Sequence, residues 1–430
     1  MPDFDLAINN ADYLVTCNSK GEVLRNSSIG VRNGKIAEIS SATLTGKENL
    51  DARGKIIAPG LINTHTHLAM TLLRGWAEGV DLQGFLEKVW AAEGAIMDGP
   101  TAELGTKLGA LEALLGGTTT TLDMYLFPEA THRGAVSAGL RHVAGPIFFD
   151  FPGLDGMEWP ARLEFARSWP ERLRKIGGPK IPTYLMPHAT YTCSPEHLIE
   201  IAELAQELDA SIHIHISENE KENQDVKERY SKSPTQLLKD SGILNRHCVY
   251  GHGVHLSDAD LKEMKNAAVA HCPGSNLKLA SGIAKIEKYR KNGIVVGLGT
   301  DGCSSSNDLD MWIVMRLAGY LVAQTNGPEN MAAESIFRMA TIDGAAALGM
   351  ADSIGSLEIG KSADIITIDL NSPHLIPIHD VFAQLVFAAG RSDVNDVFVD
   401  GVGVVRDRRS TQLDFEELRA EVINRISTLK

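Results

Sequence analysis

The sequence has no paired cysteines. Its five cysteines, Cys17, Cys193, Cys248, Cys272 and Cys303, are scattered, odd in number and never spaced as CxxC. That excludes a disulfide framework and fits a reducing cytoplasm. Positive charge is scarce as well: the net charge is −14 and no Lys/Arg-rich run interrupts it. Such a surface repels nucleic acid and anionic membranes. No run of about 18 apolar residues is present to span a bilayer. The opening "MPDFDLAINN" lacks the basic and apolar regions of a secretory leader. The expectation is a cytoplasmic protein that works on a small molecule, without nucleic-acid or membrane partners. Aromatics are few at 6%, whereas the 40 glycines suit many short strand–helix connections.

The 430 residues are enough for two to three domains, or for one large barrel with an appendage. Both ends read as short strands. "DLAINNADYLVT", "SSIGVRNGKIAEIS" and "GKIIAPG" precede the middle, and "GKSADIITIDL" and "VNDVFVDGVGVVRD" follow it. "DFEELRAEVINRISTL" reads as a terminal amphipathic helix. Between the ends, eight apolar runs alternate with helical patterns: "GLINTHTH", "TTTTLDMY", "HVAGPIFFD", "IPTYLMPHA", "SIHIHISE", "CVYGHG", "AVAHCP" and "GIVVGLGTDG". Continuous apolar runs separated by helices are what buried parallel strands require. The fold class expected is α/β: a (β/α)8 barrel over residues 59–355. A small β-sandwich domain is built from both chain ends, 1–58 plus 356–430. A doubly wound open sheet is the alternative, but no glycine-rich dinucleotide fingerprint opens it.

Polar residues gather where the apolar runs end, the face on which barrel active sites lie. They are His65 and His67, His188, His215 with Glu218, His252, His271, and Asp301. Residues i and i+2 of a strand share a face, so His65 and His67 point the same way. Two unpaired imidazoles are costly to bury, and a shared metal removes that cost. His215 is the strand-end member of "SIHIHISE", while His213 sits one layer deeper. Asp301, among small residues in "GTDG", completes a three-His, one-Asp set. Nitrogen and oxygen ligands with an open position for water suit catalytic zinc, with iron(II) as the second choice. Glu218, next to a ligand histidine, is placed to shuttle protons. His188 and His252 are placed to touch substrate or water. Trp76, Phe85 and Trp90 are candidate pocket aromatics.

Six ordered blocks, from "APGLINTHTHLAMTLLRG" through "PHATYTCS", "IHISE", "GHGVHL" and "HCPGSNLKLASG" to "GTDGCSSSNDLDM", resemble the amidohydrolase superfamily. Within it they resemble the methylthioadenosine/S-adenosylhomocysteine deaminases, relatives of the s-triazine chlorohydrolases. The resemblance covers nearly the whole chain. It implies one metal ion per chain, because strand four ends in His188 where two-metal members carry a bridging lysine. It implies that His65, His67, His215 and Asp301 hold the metal and that Glu218 moves the proton. It also implies that His252 helps hold the hydrolytic water and that Glu93 and His188 contact the nucleoside, Glu93 through ribose hydroxyls. Homo-oligomers are common in such families. The expected reaction is hydrolytic deamination of an adenine nucleoside, with ammonia and an inosine-type product released.

The departure lies near strand three. Relatives that accept S-adenosylhomocysteine carry two arginines there for its carboxylate. Here Arg162 matches one, and Ile147 or Phe148 stands where the other would be. That favours 5'-methylthioadenosine or an adenosine-like substrate over S-adenosylhomocysteine. The competing readings are an s-triazine, guanine or pterin aminohydrolase or chlorohydrolase on the same scaffold, and a catalytically dead interaction protein, which would have lost ligands that this chain keeps.

Overall fold

The computed structural model describes residues 3–427. Strands from both chain ends join one nine-stranded sheet. Lys55–Pro59 pairs parallel with Phe4–Val15 on one side and antiparallel with Ile365–Asp369 on the other. The hydrogen bonding forms one ladder, from which Gly46–Asp51 branches off Phe4–Val15. The cause is the Lys55–Pro59 to Ile365–Asp369 pairing, which ties the two ends edge to edge. Leu6, Ile8, Ile57, Ile365 and Phe398 share its core. The C-terminal helix runs Phe415–Ile426, capped by Asp414, and buries Leu418 and Val422. Thr428 and Leu429, expected at its end, lie outside the described residues.

Eight strand positions follow in chain order between these ends. They are Leu61–His67, Thr118–Asp123, Arg141–Ala144 with Ile147–Phe148, Tyr184–Pro187, Ser211–Ile216, Cys248–His252, Ala267–His271, and Val295–Leu298 with Asp301–Gly302. Every pairing among them is parallel. The third and eighth positions are each broken in two, and each half takes a different neighbour. Arg141–Ala144 pairs with strand two and Ile147–Phe148 with strand four. Val295–Leu298 pairs with strand seven, and Asp301–Gly302 returns to strand one. The pairing therefore runs round a ring. Gly299 makes the last step feasible: a Cβ there would lie 2.9 Å from both the His65 carbonyl oxygen and the Cys272 sulfur. Ile62, Leu122, Val143, Met186, Val249 and Ala270, one from each of six strands, belong to one buried cluster. No helix among the described residues is long and apolar enough to cross a membrane.

The N-terminal ends of the ring strands face the end-built sheet. Arg141, at the start of strand three, pairs with Asp364 at 3.1 Å and Asp400 at 2.6 Å. The opposite rim is left to the strand C-termini and their loops.

Candidate active site

Three histidines converge at that rim, and their hydrogen bonds fix their protons. His67 donates from Nδ1 to the Met124 carbonyl at 2.5 Å, and His215 from Nδ1 to the His188 carbonyl at 2.8 Å. A carbonyl only accepts, so each Nε2 is left with a lone pair. His65 follows by one relay. His213 donates from Nδ1 to the Val249 carbonyl at 2.9 Å, so its Nε2 accepts from His65 Nδ1 at 2.7 Å. His65 Nε2 is thus also an acceptor, buried and without a hydrogen-bond partner. The lone pairs meet one carboxylate: Asp301 Oδ1 lies 3.2 Å from His67 Nε2 and 3.5 Å from His65 Nε2. His67 Nε2 and His215 Nε2 are 3.2 Å apart.

Such crowding of acceptors requires a cation. His65, His67 and Asp301 form one group able to hold a metal ion, and His65, His215 and His252 form another. Without a metal, a proton takes part of that role. Burial disfavours charged His67, but the Asp301 carboxylate overrides it and pushes its pKa up to about 9. Burial holds His65 down to about 4 and His215 well below the usual histidine range. Asp301 sits well below the usual carboxylate range; burial works against this, and the His65 and His67 contacts outweigh it. Its other oxygen accepts from Ser305 Oγ at 2.7 Å.

The local backbone aims these groups. Asp301 and His252 both adopt the left-handed region, at φ 62° and 70°, as does Ser217 at 49° just before Glu218. Non-glycine residues rarely occupy it, and at a strand end it turns the side chain across the rim. Glu218 is buried beside His252, 3.7 Å from its Nε2. Burial pushes the Glu218 carboxyl up from the ordinary value. His252 Nδ1 is 2.9 Å from Asn276 Oδ1, which leaves its Nε2 towards Glu218.

These groups line one end of a cavity of about 250 Å³, of a size for a small molecule. Its other walls are the helix Leu82–Ile96, capped by Asp81, and the loop after strand three. Among the described residues, no lysine or arginine lines it. Phe85, Trp90, Ile147 and Phe149 line it, as do Glu93 and His188. Trp76 and Phe148 do not: Trp76 is exposed and Phe148 is core. His271 is buried away from the cavity. His188 Nδ1 is 3.1 Å from Thr192 Oγ1, and burial holds this histidine down to about 3.

Arg162 is the sequence-derived site residue that the structure keeps out of the cavity. Its guanidinium is buried in a two-point pair with Asp155, at 2.9 and 3.0 Å, and also donates to the Ile147 and Met157 carbonyls. Asp155 and Met157 belong to the loop that walls the cavity, so Arg162 pins that loop from behind. Four contributors escaped the sequence reading: Tyr125, Glu222, Asn276 and the Met124 carbonyl. Tyr125, in "LDMY", lies two residues beyond the end of strand two, close to the strand-end position that marks the other site residues. The rest carry no signal of their own.

The comparisons with known proteins bear on this arrangement. The family model described as "Amidohydrolase family" matches residues 56–404. The chain belongs to the amidohydrolase family. This amidohydrolase is 38% identical to a 5-methylthioadenosine/S-adenosylhomocysteine deaminase of Syntrophobacter fumaroxidans, over 99% of this chain and 98% of that one. It is also 38% identical to a 5'-deoxyadenosine deaminase of Methanosarcina mazei, over 97% of this chain and 96% of the other. Among solved structures, an adenosine deaminase of Xanthomonas campestris with bound zinc superimposes with a TM-score of 0.94 at 33% identity. That match covers 99% of this chain and 98% of the other. The amidohydrolase is therefore an enzyme with a divalent-metal site.

Proposed function

We propose that this amidohydrolase is a hydrolytic deaminase of adenine nucleosides with an apolar or short 5′ group, 5'-methylthioadenosine or an adenosine-like compound. The products are ammonia and the inosine-type nucleoside. One observation carries the reading: three imidazole lone pairs and a carboxylate converge at the head of a cavity whose far wall is apolar and free of cations. S-adenosylhomocysteine is the poorer fit. Its amino-acid carboxylate would find no bidentate arginine, since Arg162 is committed to Asp155.

His65, His67, His215 and Asp301 would hold the metal, one zinc per chain, with iron(II) the second choice. When bound, a divalent metal lowers the pKa of a water to about 7 and so supplies the nucleophile. Asp301 accepts the proton that water gives up. Burial favours the protonated form of Glu218. It gives its proton to ring N1 as a water oxygen adds to C6; the carboxylate then takes the proton left on the new C6 hydroxyl and passes it to the departing amine, and the proton held by Asp301 restores Glu218. His252 Nε2, beside Glu218, would help hold the water. Glu93 takes ribose hydroxyls and His188 contacts the nucleoside. The catalytic part is residues 59–355, a (β/α)8 barrel, and the ends 1–58 and 356–430 form the β-domain. A cytoplasmic homo-oligomer fits the cysteine pattern and the habit of the family.

An ammonia-release screen tests the reading. 5'-methylthioadenosine and adenosine should react best and S-adenosylhomocysteine poorly, with guanine, pterins and triazines inactive. Reaction with triazines alone would overturn it.

A further inference from the structure

Glu93 stands apart from the other two carboxyls of the cavity. Glu218 and Asp301 face the histidines, whereas Glu93 comes from the helix Leu82–Ile96. It is buried, and among the described residues its side chain has one hydrogen bond, from the Tyr125 hydroxyl to Oε1 at 2.5 Å. Tyr125 follows strand two, so this bond ties the helix wall to the ring. Tyr125 is itself buried, in the same apolar cluster as Leu126, Ile147 and Phe149, which fixes the direction of its O–H.

A carboxylate only accepts, and its two oxygens offer about four acceptor sites. Tyr125 fills one. Oε2 receives no donor from the described residues, and no cation lines the cavity to neutralise it. A cavity-lining acceptor left like this favours a hydroxyl donor.

We propose that Tyr125 is a positioning residue: its hydroxyl clamps Oε1 of Glu93 so that Oε2 reads a sugar hydroxyl. The pair selects nucleosides that keep the 2′ and 3′ hydroxyls over analogues that lack both. This rests on the nucleoside reading above. The clamp acts on binding, because Glu93 comes from the helix wall and not from the ring strands that carry His65, His67, His215 and Asp301. Losing it frees the Glu93 side chain to rotate, and the hydroxyl contact with it.

The experiment compares adenosine with 2′,3′-dideoxyadenosine, which lacks both hydroxyls, in wild-type zinc enzyme and in Tyr125→Phe. The ratio of kcat/KM for adenosine to that for the dideoxy compound should fall about tenfold in Y125F, the scale of a lost hydrogen bond to a charged group. The fall should come from KM for adenosine and not from kcat. In Glu93→Gln the ratio should also fall, and adding Y125F to it should lower the ratio no further, because the two changes break one contact. A purely structural Tyr125 would reduce both substrates alike and leave the ratio unmoved, which overturns the inference. Wild-type enzyme that deaminates no adenine nucleoside overturns the functional reading itself, and this inference with it. Should Y125F fail to fold, an E93Q enzyme with the wild-type ratio overturns the proposal just as directly.

Discussion

Glu218 and Glu222 are two buried carboxyls four residues apart with different work. Glu218 faces His252, and Glu222 Oε2 accepts from the Glu218 backbone N–H at 2.9 Å, which sets the turn that presents Glu218. Glu218→Gln keeps the shape and removes the proton. It should lower kcat by at least about 100-fold while the metal content is unchanged, since general acid–base help is worth that much or more. Glu222 bears on stability. Burial pushes it up to about 7 from an ordinary 4.5, against the pull of the Glu218 N–H. The folded chain therefore keeps a proton that the unfolded chain has released. Its neutral form favours folding at low pH, and stability falls as pH rises from about 4.5 to 7, at up to about 1.4 kcal/mol per unit. Glu222→Gln should flatten that slope. Denaturant unfolding of metal-free wild-type and E222Q protein at pH 5 and pH 7 reads the difference between the two, because the buried histidines held below their ordinary range add a slope of the opposite sign to both.

At the scale of elements, the site depends on how closely helices seat on the ring. The helix Gly99–Leu115 lies against the turn Leu68–Leu73 that follows His67. A Cβ at Gly105 would stand 2.5 Å from the Ala69 carbonyl oxygen, a backbone atom that cannot move without its turn. Gly105→Ala should cost about 1–3 kcal/mol of stability, as overpacking does. It should also loosen metal retention, because the turn starts directly after His67; thermal melts and metal content after dialysis check both. The eight ring strands were legible because each is an apolar run that ends in a polar residue. The partner exchange within strands three and eight was not, because "HVAGPIFFD" and "GIVVGLGTDG" each read as one unbroken run. The shared face of His65 and His67 was legible for a similar reason: strand alternation fixes it. Arg162 was misread because loop geometry leaves no periodic mark, so nothing in "DGMEWPAR" announces that Asp155 folds back onto it. Tyr125 and Glu93 are 32 residues apart on elements of different type, and no spacing rule joins them.

At the scale of the whole molecule, the ring and the end-built sheet are joined by a buried charge cluster. Arg141 and Asp364 are each 3% exposed, and Asp400 adds a second carboxylate. Removing the cation strands the two acids. Arg141→Ala should therefore destabilise the protein by about 3–5 kcal/mol, the scale for breaking a buried pair. The zinc content of the surviving folded fraction should hold, because Arg141 starts its strand at the end remote from the histidines. A thermal melt and metal analysis of the same sample separate the two effects.

The seam between the chain ends also sets a clock. Ile56 pairs with Ile368, so the edge of Lys55–Pro59 has no partner until the ribosome has made almost the whole chain. At 5–20 residues per second that wait is roughly 15–60 s. Throughout it a buried-type strand, "KIIAP", offers open backbone groups to any neighbour. The period of greatest exposure to misassembly falls during synthesis, and slower translation lengthens it.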